Sequence, residues 1–181
     1  MNFDDHTGYK RKPVINWTSK LNRTMRINAN KFLSYILQQI KTKPAKTALK
    51  NIIQYFYRQA KSYGAWDLKR QNSWKFNKKY DYIYKYGSKT YYLRSDDPGN
   101  IHFGYVGAVF FPSSVLRAGA GIYQIKSGTS KFKYWFTFFD DPRDSSMIAL
   151  GAKIFGQSSI IGVAAKRTIK NFFNKIRLRW I

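Results

Sequence analysis

Two short turns gather most of the acidic side chains of this chain, and a histidine lies close to one of them. Five of the nine acids, all of them aspartates, lie in Asp96–Asp97 and Asp140–Asp144. His102 follows the first turn among glycines that leave room for another molecule close to the backbone. A neutral imidazole can take or give a proton near pH 7, and a nearby carboxylate can fix its tautomer. This spacing predicts a catalytic site at His102; the structural alternative is a half-exposed histidine that ends a strand.

The second turn, Asp140–Asp144, has a structural explanation beside the functional one. Asp141 before Pro142 is typical of a helix start, and Asp144 in the first turn suits the helix dipole. Capping alone therefore accounts for both acids. In the functional alternative, this helix start and Arg143 bind a phosphate while one aspartate orients His102. Two aspartates here could also hold Mg²⁺.

Two weaker motifs lie on either side of these turns. Asp67 and Lys69 follow the end of a predicted helix, beside Trp66; in the structural alternative Trp66 is a core residue and Asp67 starts a turn. The segment 128–130, Gly-Thr-Ser, follows Gln124 and could bind an anion or form a plain turn. It lacks the Gly-Lys-Ser/Thr end of a P-loop, so the sequence does not support nucleoside triphosphate binding.

Charge is the outlier of the composition. The 181 residues carry 33 lysines and arginines against nine aspartates, a net charge of +24. Such an excess concerns partners rather than fold, and it indicates nucleic acid, an anionic membrane surface or an acidic protein. The absence of cysteine excludes disulfides and thiolate metal sites. With only two histidines, we expect no zinc site and no cofactor.

The chain shows neither a signal peptide nor an apolar run of the roughly 20 residues that a membrane-spanning helix needs. We therefore expect a soluble protein that, if exported, leaves by a route without a cleaved signal peptide. Lysines alternate with aromatic residues from Trp74 to Lys89, a pattern that could stack bases and pair with phosphates. The structural alternative is a solvated basic hairpin whose tyrosines face a small core. The basic C-terminal helix would also suit a membrane surface.

Helices form most of the framework that must position these residues. Apolar spacing predicts helices from Ala29 to about Thr42 and from Ala45 to Lys61, with Gly64 at a position suited to a positive φ. Alternation in Tyr80–Tyr86 and Lys89–Leu93 around a Gly-Ser turn predicts a β-hairpin.

Three further helices are predicted in the C-terminal half. They begin after Pro112, at Asp141–Pro142 and near Ser158, and the last ends in a basic run, 175–179. Residues 1–26 are polar, basic and weakly patterned, which indicates an arm or linker. The predicted fold class is α+β, mainly helical with a small antiparallel β-hairpin.

Five blocks in order resemble the type 44 polymorphic-toxin family of bacteria, over roughly residues 51 to 156. The blocks are Phe56–Lys69, Gly99–Gly107, Leu116–Gly121, Gln124 with the following Gly-Thr-Ser, and Asp140–Gly151. The chain departs from the family pattern at 108–112, where a Gly-Phe is often found, and after residue 156. The resemblance implies a toxin module delivered by contact-dependent or secretion systems and encoded beside an immunity protein. It divides the chain into a basic N-terminal extension with a helix, 1–50, and a toxin domain with a basic C-terminal helix, 51–181.

From the residues and this resemblance we predict an antibacterial effector toxin that cleaves RNA, with His102 as general base or acid. The predicted catalytic residues are His102, Asp67, Asp141 and Asp144. The predicted substrate-binding residues are Lys69, Asn100, Tyr105, Arg117, Gln124 and Arg143. Asp67 or Asp141 would orient the imidazole, and the cations would stabilise charge on the phosphate. Such a site needs no metal, so cleavage should persist in EDTA.

The expected partners are RNA, an acidic cognate immunity protein, a delivery apparatus and an anionic membrane surface. The expected place of action is the target cytoplasm, with the periplasm as the alternative. Three other functions stay open. They are an envelope enzyme acting on an anionic peptidoglycan precursor, membrane disruption by the basic C-terminal helix, and nucleic-acid binding without chemistry.

Overall fold

The computed structural model describes residues 12–118 and 142–176, which form helices and a small sheet. The helices are α1 (Thr18–Thr42), α2 (Ala45–Ala60), α3 (Asp97–Gly107), α4 (Ser113–Ala118), α5 (Pro142–Gly156) and α6 (Val163–Lys175). Two short 3-10 turns, Leu68–Arg70 and Asn72–Trp74, connect α2 to the sheet. This architecture confirms the predicted α+β class, mainly helical.

The sheet has three strands, β1 (Val14–Asn16), β2 (Asp81–Tyr86) and β3 (Lys89–Tyr92), in that order. Strands β2 and β3 are antiparallel, and Gly87 begins the turn between them with a φ of +58°, a conformation that glycine adopts without strain. The predicted hairpin is therefore confirmed. Strand β1 adds to it in parallel and lies within the segment predicted to be an arm.

The arm predicted for residues 1–26 is wrong from Val14 onward, because β1 covers Val14–Asn16 and α1 begins at Thr18. The buried face of α1 recurs every three or four residues; its apolar members are Leu21, Met25, Ala29, Phe32 and Ile36. Basic and polar residues fill the positions between them, which weakens the pattern in the sequence. Helix α1 packs against α2, α3 and α6, and its side chains belong to the same hydrophobic core as theirs. The domain boundary at residue 50 stays a prediction.

The segment around His102 is helix α3, so the alternative of a strand that ends at His102 is wrong. Pro98 lies in the first turn of α3, where a proline needs no hydrogen-bond donor. A Cβ on Gly104 would lie 2.0 Å from the backbone oxygen of Ile148, and one on Gly151 2.0 Å from that of Ile101. Helices α3 and α5 therefore cross backbone to backbone at these glycines. The glycines of this segment were expected to clear space for a substrate, but Gly104 serves helix packing.

The remaining helix starts follow the sequence closely. Helix α4 begins just after Pro112 and α5 begins at Pro142, as predicted, whereas α6 begins five residues later than Ser158. Asp140, Asp141, Gln124 and the Gly-Thr-Ser segment 128–130 lie outside the described residues. Among the helices described, none is both long and apolar enough to cross a membrane.

Candidate active site

A cavity of about 270 Å³ opens between the loop after α2, the N-terminal half of α3 and the first turn of α5. Five of the predicted site residues line it: Asp67, Lys69, Asn100, His102 and Asp144. They come from three separate segments, so the fold brings together groups that the sequence spreads over almost 80 positions. Phe56, Trp66 and Phe103 supply the apolar part of the wall.

His102 lies in the wall of this cavity, only 1% exposed. The amide nitrogen of Asn28, on α1, donates a hydrogen bond to its Nε2 at 2.9 Å. Since Nε2 accepts, the proton of the neutral ring is on Nδ1. Trp66 contacts the imidazole edge-on, with the ring centroids 6.2 Å apart. The ring is thus held in one orientation and one tautomer.

Burial sets the charge of this imidazole. Removal from water disfavours the charged form and lowers the pKa of His102 to about 3. The ring is therefore uncharged at neutral pH. It can offer a hydrogen bond from Nδ1, but it is not an imidazolium that could act as an acid.

The depressed pKa of His102 predicts a pH-dependent stability. The unfolded chain takes up a proton near pH 6.5 and the folded chain does so only near pH 3, so stability falls as pH decreases through this window. We expect His102 to contribute on the order of 1–2 kcal/mol to the loss between about pH 6.5 and 5. Urea denaturation of wild type and His102→Gln at both pH values measures this change in the free energy of unfolding. A wild-type slope no steeper than that of the variant would contradict the buried neutral imidazole.

Asp67 was predicted to orient His102, but its bonds go elsewhere. Its carboxylate accepts hydrogen bonds from the backbone N–H of Tyr63 at 2.9 Å and from Arg70 at 2.8 Å. Asp67 thus organises the loop that forms one side of the cavity. Asn28, which the sequence analysis did not single out, has the orienting position instead.

The side chains of Asp144 and Asn100 are joined by a hydrogen bond. The amide nitrogen of Asn100 donates to the Asp144 carboxylate at 2.7 Å, which joins α3 to the first turn of α5. Asp96 also borders the cavity, and none of the described residues forms a hydrogen bond with its carboxylate. Lys69 lines the same cavity and is exposed. The cavity therefore presents carboxylates, an amide, an ammonium group and an imidazole.

Arg143 was predicted to bind substrate, and the structure places it in an ion pair. Its guanidinium donates to both carboxylate oxygens of Asp97, at 3.0 and 2.5 Å, and to the backbone oxygen of Tyr92. Asp97 is fully buried and also accepts the backbone N–H of Arg94. This pair fastens α5 to the start of α3 and the end of β3. Arg143 is not among the residues that line the cavity.

The other predicted residues lie away from the cavity or outside the description. Tyr105 is buried against Phe155, with ring centroids 5.4 Å apart, and burial raises the pKa of its hydroxyl. Arg117 belongs to α4, but its side chain is outside the described part. Asp141 and Gln124 are outside it as well. Within residues 12–118 and 142–176, no group of three or more histidine and acidic side chains could hold a metal ion.

The polar residues of this site that the sequence did not predict include Asn28, Asp96 and Arg70. Asn28 gave no local signal, because it lies 74 positions from His102 in a polar stretch. The signal for Asp96 was present, since it belongs to the acidic turn before His102. Arg70 follows Lys69 directly, and its position three residues after Asp67 suits a local ion pair.

These features define a small, strongly basic helical module with a polar cavity beside His102. The family model for bacterial toxin 44 matches residues 55–157, more than half of the chain. The chain belongs to this family of bacterial toxins, which confirms the resemblance. The match includes every residue that lines the cavity, whereas α1 with Asn28 and α6 lie outside it. No curated protein and no solved structure matches the chain.

Proposed function

We propose that this bacterial toxin is a hydrolase that cleaves RNA in the His102 cavity. The observation that carries the proposal is the content of this one cavity: an uncharged imidazole, a carboxylate held by an amide, and an ammonium group without an acidic partner among the described residues. Cleavage of a phosphodiester needs a group that takes a proton, a donor to the phosphoryl oxygen and a positive charge.

The geometry assigns these tasks to particular residues. His102 donates its Nδ1–H to a phosphoryl oxygen, because Nε2 already accepts the amide of Asn28. This role as a neutral donor replaces that of general base or acid expected from the sequence. Asp144, held by Asn100, takes the proton of the attacking 2′-hydroxyl. As the 2′-oxygen bonds to phosphorus, the bond from phosphorus to the 5′-oxygen breaks, and the leaving 5′-oxygen takes a proton from water. Lys69 pairs with the phosphate.

Net charge explains how the substrate and a partner would be attracted. At +24, the chain binds a polyanion strongly and with a steep dependence on salt. The same charge favours an acidic immunity protein as the cognate partner. Delivery into the target cytoplasm, where RNA is found, completes the proposal.

An RNA-degradation assay at moderate salt tests this function. We expect wild type to cleave RNA with and without EDTA, and His102→Gln to be about 10²–10³-fold slower, as for the loss of one donor to a developing oxyanion. The glutamine can still accept the amide hydrogen bond of Asn28, so the fold is retained. Asp144→Asn should be impaired as well.

A matched pair of lysine variants provides the control. Lys69→Gln and Lys153→Gln remove the same charge from exposed positions, but only Lys69 lines the cavity. We expect the first to slow cleavage and the second to cleave like wild type. Equal cleavage by wild type and His102→Gln, purified identically, would show that a trace nuclease or another site does the cleaving. Complete loss in EDTA would contradict a metal-free reaction.

A second candidate is an enzyme of the cell envelope. Three carboxylates, those of Asp67, Asp96 and Asp144, line the same cavity, which opposes the entry of a phosphodiester and suits acid–base hydrolysis of an envelope polymer. Incubation of purified peptidoglycan and its precursors with wild type and Asp144→Asn distinguishes the two. Wild-type product from the envelope substrate, together with intact RNA, would favour this candidate.

A further inference from the structure

We propose that Tyr63 is a stacking platform for a nucleobase at the edge of the His102 cavity. The inference rests on the proposed function and specifies how the substrate is recognised. Tyr63 lies between residues that border the cavity, since Ser62, Asp67 and Arg70 all line it. The side chain of Tyr63 itself is 86% exposed, more than any other large apolar or aromatic residue described.

The backbone at Tyr63 is in a conformation that tyrosine avoids. Its φ is +64°, and among the described residues it is the one non-glycine with a positive value. A positive φ was predicted for the next residue, Gly64, and that prediction is wrong. Glycine at position 64 instead allows the loop to pass close to the backbone of α2, because a Cβ there would lie 2.3 Å from the backbone oxygen of Gln59. The turn itself would be satisfied better by glycine or asparagine at position 63.

The surrounding loop holds this strained residue in place. Asp67 accepts the backbone N–H of Tyr63, and the N–H of Trp66 donates to the oxygen of Gln59 at 2.8 Å. Strain of this kind persists where neighbouring bonds over-determine the conformation, and it clusters at binding and active sites. The result is a rigidly presented ring that buries almost nothing in the core.

The chemistry around the ring fits a nucleotide. The guanidinium of Arg70 lies over the ring, 4.8 Å from its centroid, and Arg70 forms an ion pair with Asp67. Arg70 covers only one face of the ring and Tyr63 is 86% exposed, so a planar base can stack on the opposite face while its phosphate meets the cations Arg70 and Lys69. Stacking tolerates any base, so Tyr63 would bind single-stranded RNA without reading its sequence.

Two oligonucleotides of equal charge isolate the stacking. The first is a short 2′-O-methyl oligouridylate, which lacks the 2′-hydroxyl needed for cleavage, and the second is the same backbone without bases. Fluorescence anisotropy measures binding by wild type, Tyr63→Asn and Tyr63→Phe, and thermal denaturation measures their stability. We expect Tyr63→Asn to bind the oligouridylate about tenfold more weakly and the abasic chain like wild type. Its Tm should equal or exceed that of wild type, because asparagine adopts a positive φ more readily. Tyr63→Phe, which keeps the ring, should bind both probes like wild type.

Three results would overturn the platform. They are an unchanged affinity of Tyr63→Asn for the oligouridylate, an equal loss for both probes, and a loss in Tyr63→Phe as large as in Tyr63→Asn. A Tm of Tyr63→Asn clearly below that of wild type would show that the ring stabilises the fold, and would overturn the stacking platform as well. Base-dependent binding combined with intact RNA in the cleavage assay would uphold the platform and contradict the proposed nuclease. Cleavage of RNA without base-dependent binding would support the proposed nuclease and contradict the platform.

Discussion

Gly151→Ala is expected to lower the free energy of unfolding by about 3 kcal/mol or more, because overpacking at a rigid contact exceeds the small gain in helix propensity. The added Cβ would lie 2.0 Å from the backbone oxygen of Ile101 and 2.7 Å from the backbone nitrogen of Tyr105. No side chain can move aside, so α3 and α5 must separate. At 2–4 °C per kcal/mol, Tm should fall by about 10 °C. Thermal and urea denaturation measure both quantities.

The control for this variant lies on the same helix. A Cβ on Gly156 meets nothing within 4 Å, and Gly156→Ala should leave stability unchanged or raise it by up to about 1 kcal/mol. If Gly151→Ala were as stable as Gly156→Ala, the close crossing of α3 and α5 would be wrong. Because α3 carries His102 and α5 carries Asp144, the cavity would then be wrong too.

Arg143→Met is expected to be similarly damaging, by about 3 kcal/mol, because it leaves the Asp97 carboxylate buried without its cation. Arg143 itself is 31% exposed, so the loss should lie at the lower end of the range for broken buried pairs. The variant also removes the bond to the backbone oxygen of Tyr92, which loosens β3. Urea denaturation at neutral pH provides the free energy.

Arg94→Met provides the matched comparison. Arg94 is exposed, and it bonds Asp97 only through its backbone N–H and C=O, which the substitution keeps. We expect Arg94→Met to be close to wild type. Adding Asp97→Asn to Arg143→Met should recover part of the loss, since no buried charge remains. Equal stability of the two methionine variants would contradict a structural role for the Arg143–Asp97 pair.

Elements with strong local signals could be predicted from the sequence. The start of α5 at Pro142 and the hairpin at Gly87 follow from a proline and a glycine whose backbone preferences decide the conformation. Helix α3 could not be predicted, because Gly104 in its interior and Gly107 at its end favour other structures. Its helical state comes from tertiary packing on α5, which only glycine permits at this distance.

The site was partly predictable for the same physical reason. His102, Asp144 and Asn100 lie in acidic and glycine-rich turns that differ from the rest of a basic chain. The sequence around Asn28 gives no such signal, and its contact with His102 depends on how α1 packs against α3. The sequence predicted Arg143 as a phosphate ligand because its partner in the structure, Asp97, lies 46 positions away. A local sequence pattern does not indicate so distant an ion pair.

The central claim is that the His102 cavity performs the chemistry of this toxin on RNA. Expression of wild type and His102→Gln in bacterial cytoplasm, with survival and total RNA followed together, tests it most directly. We expect wild type to degrade RNA before cells die and His102→Gln, at equal protein level, to do neither. Killing by both proteins, or killing by wild type only in the periplasm with RNA intact, would contradict the claim.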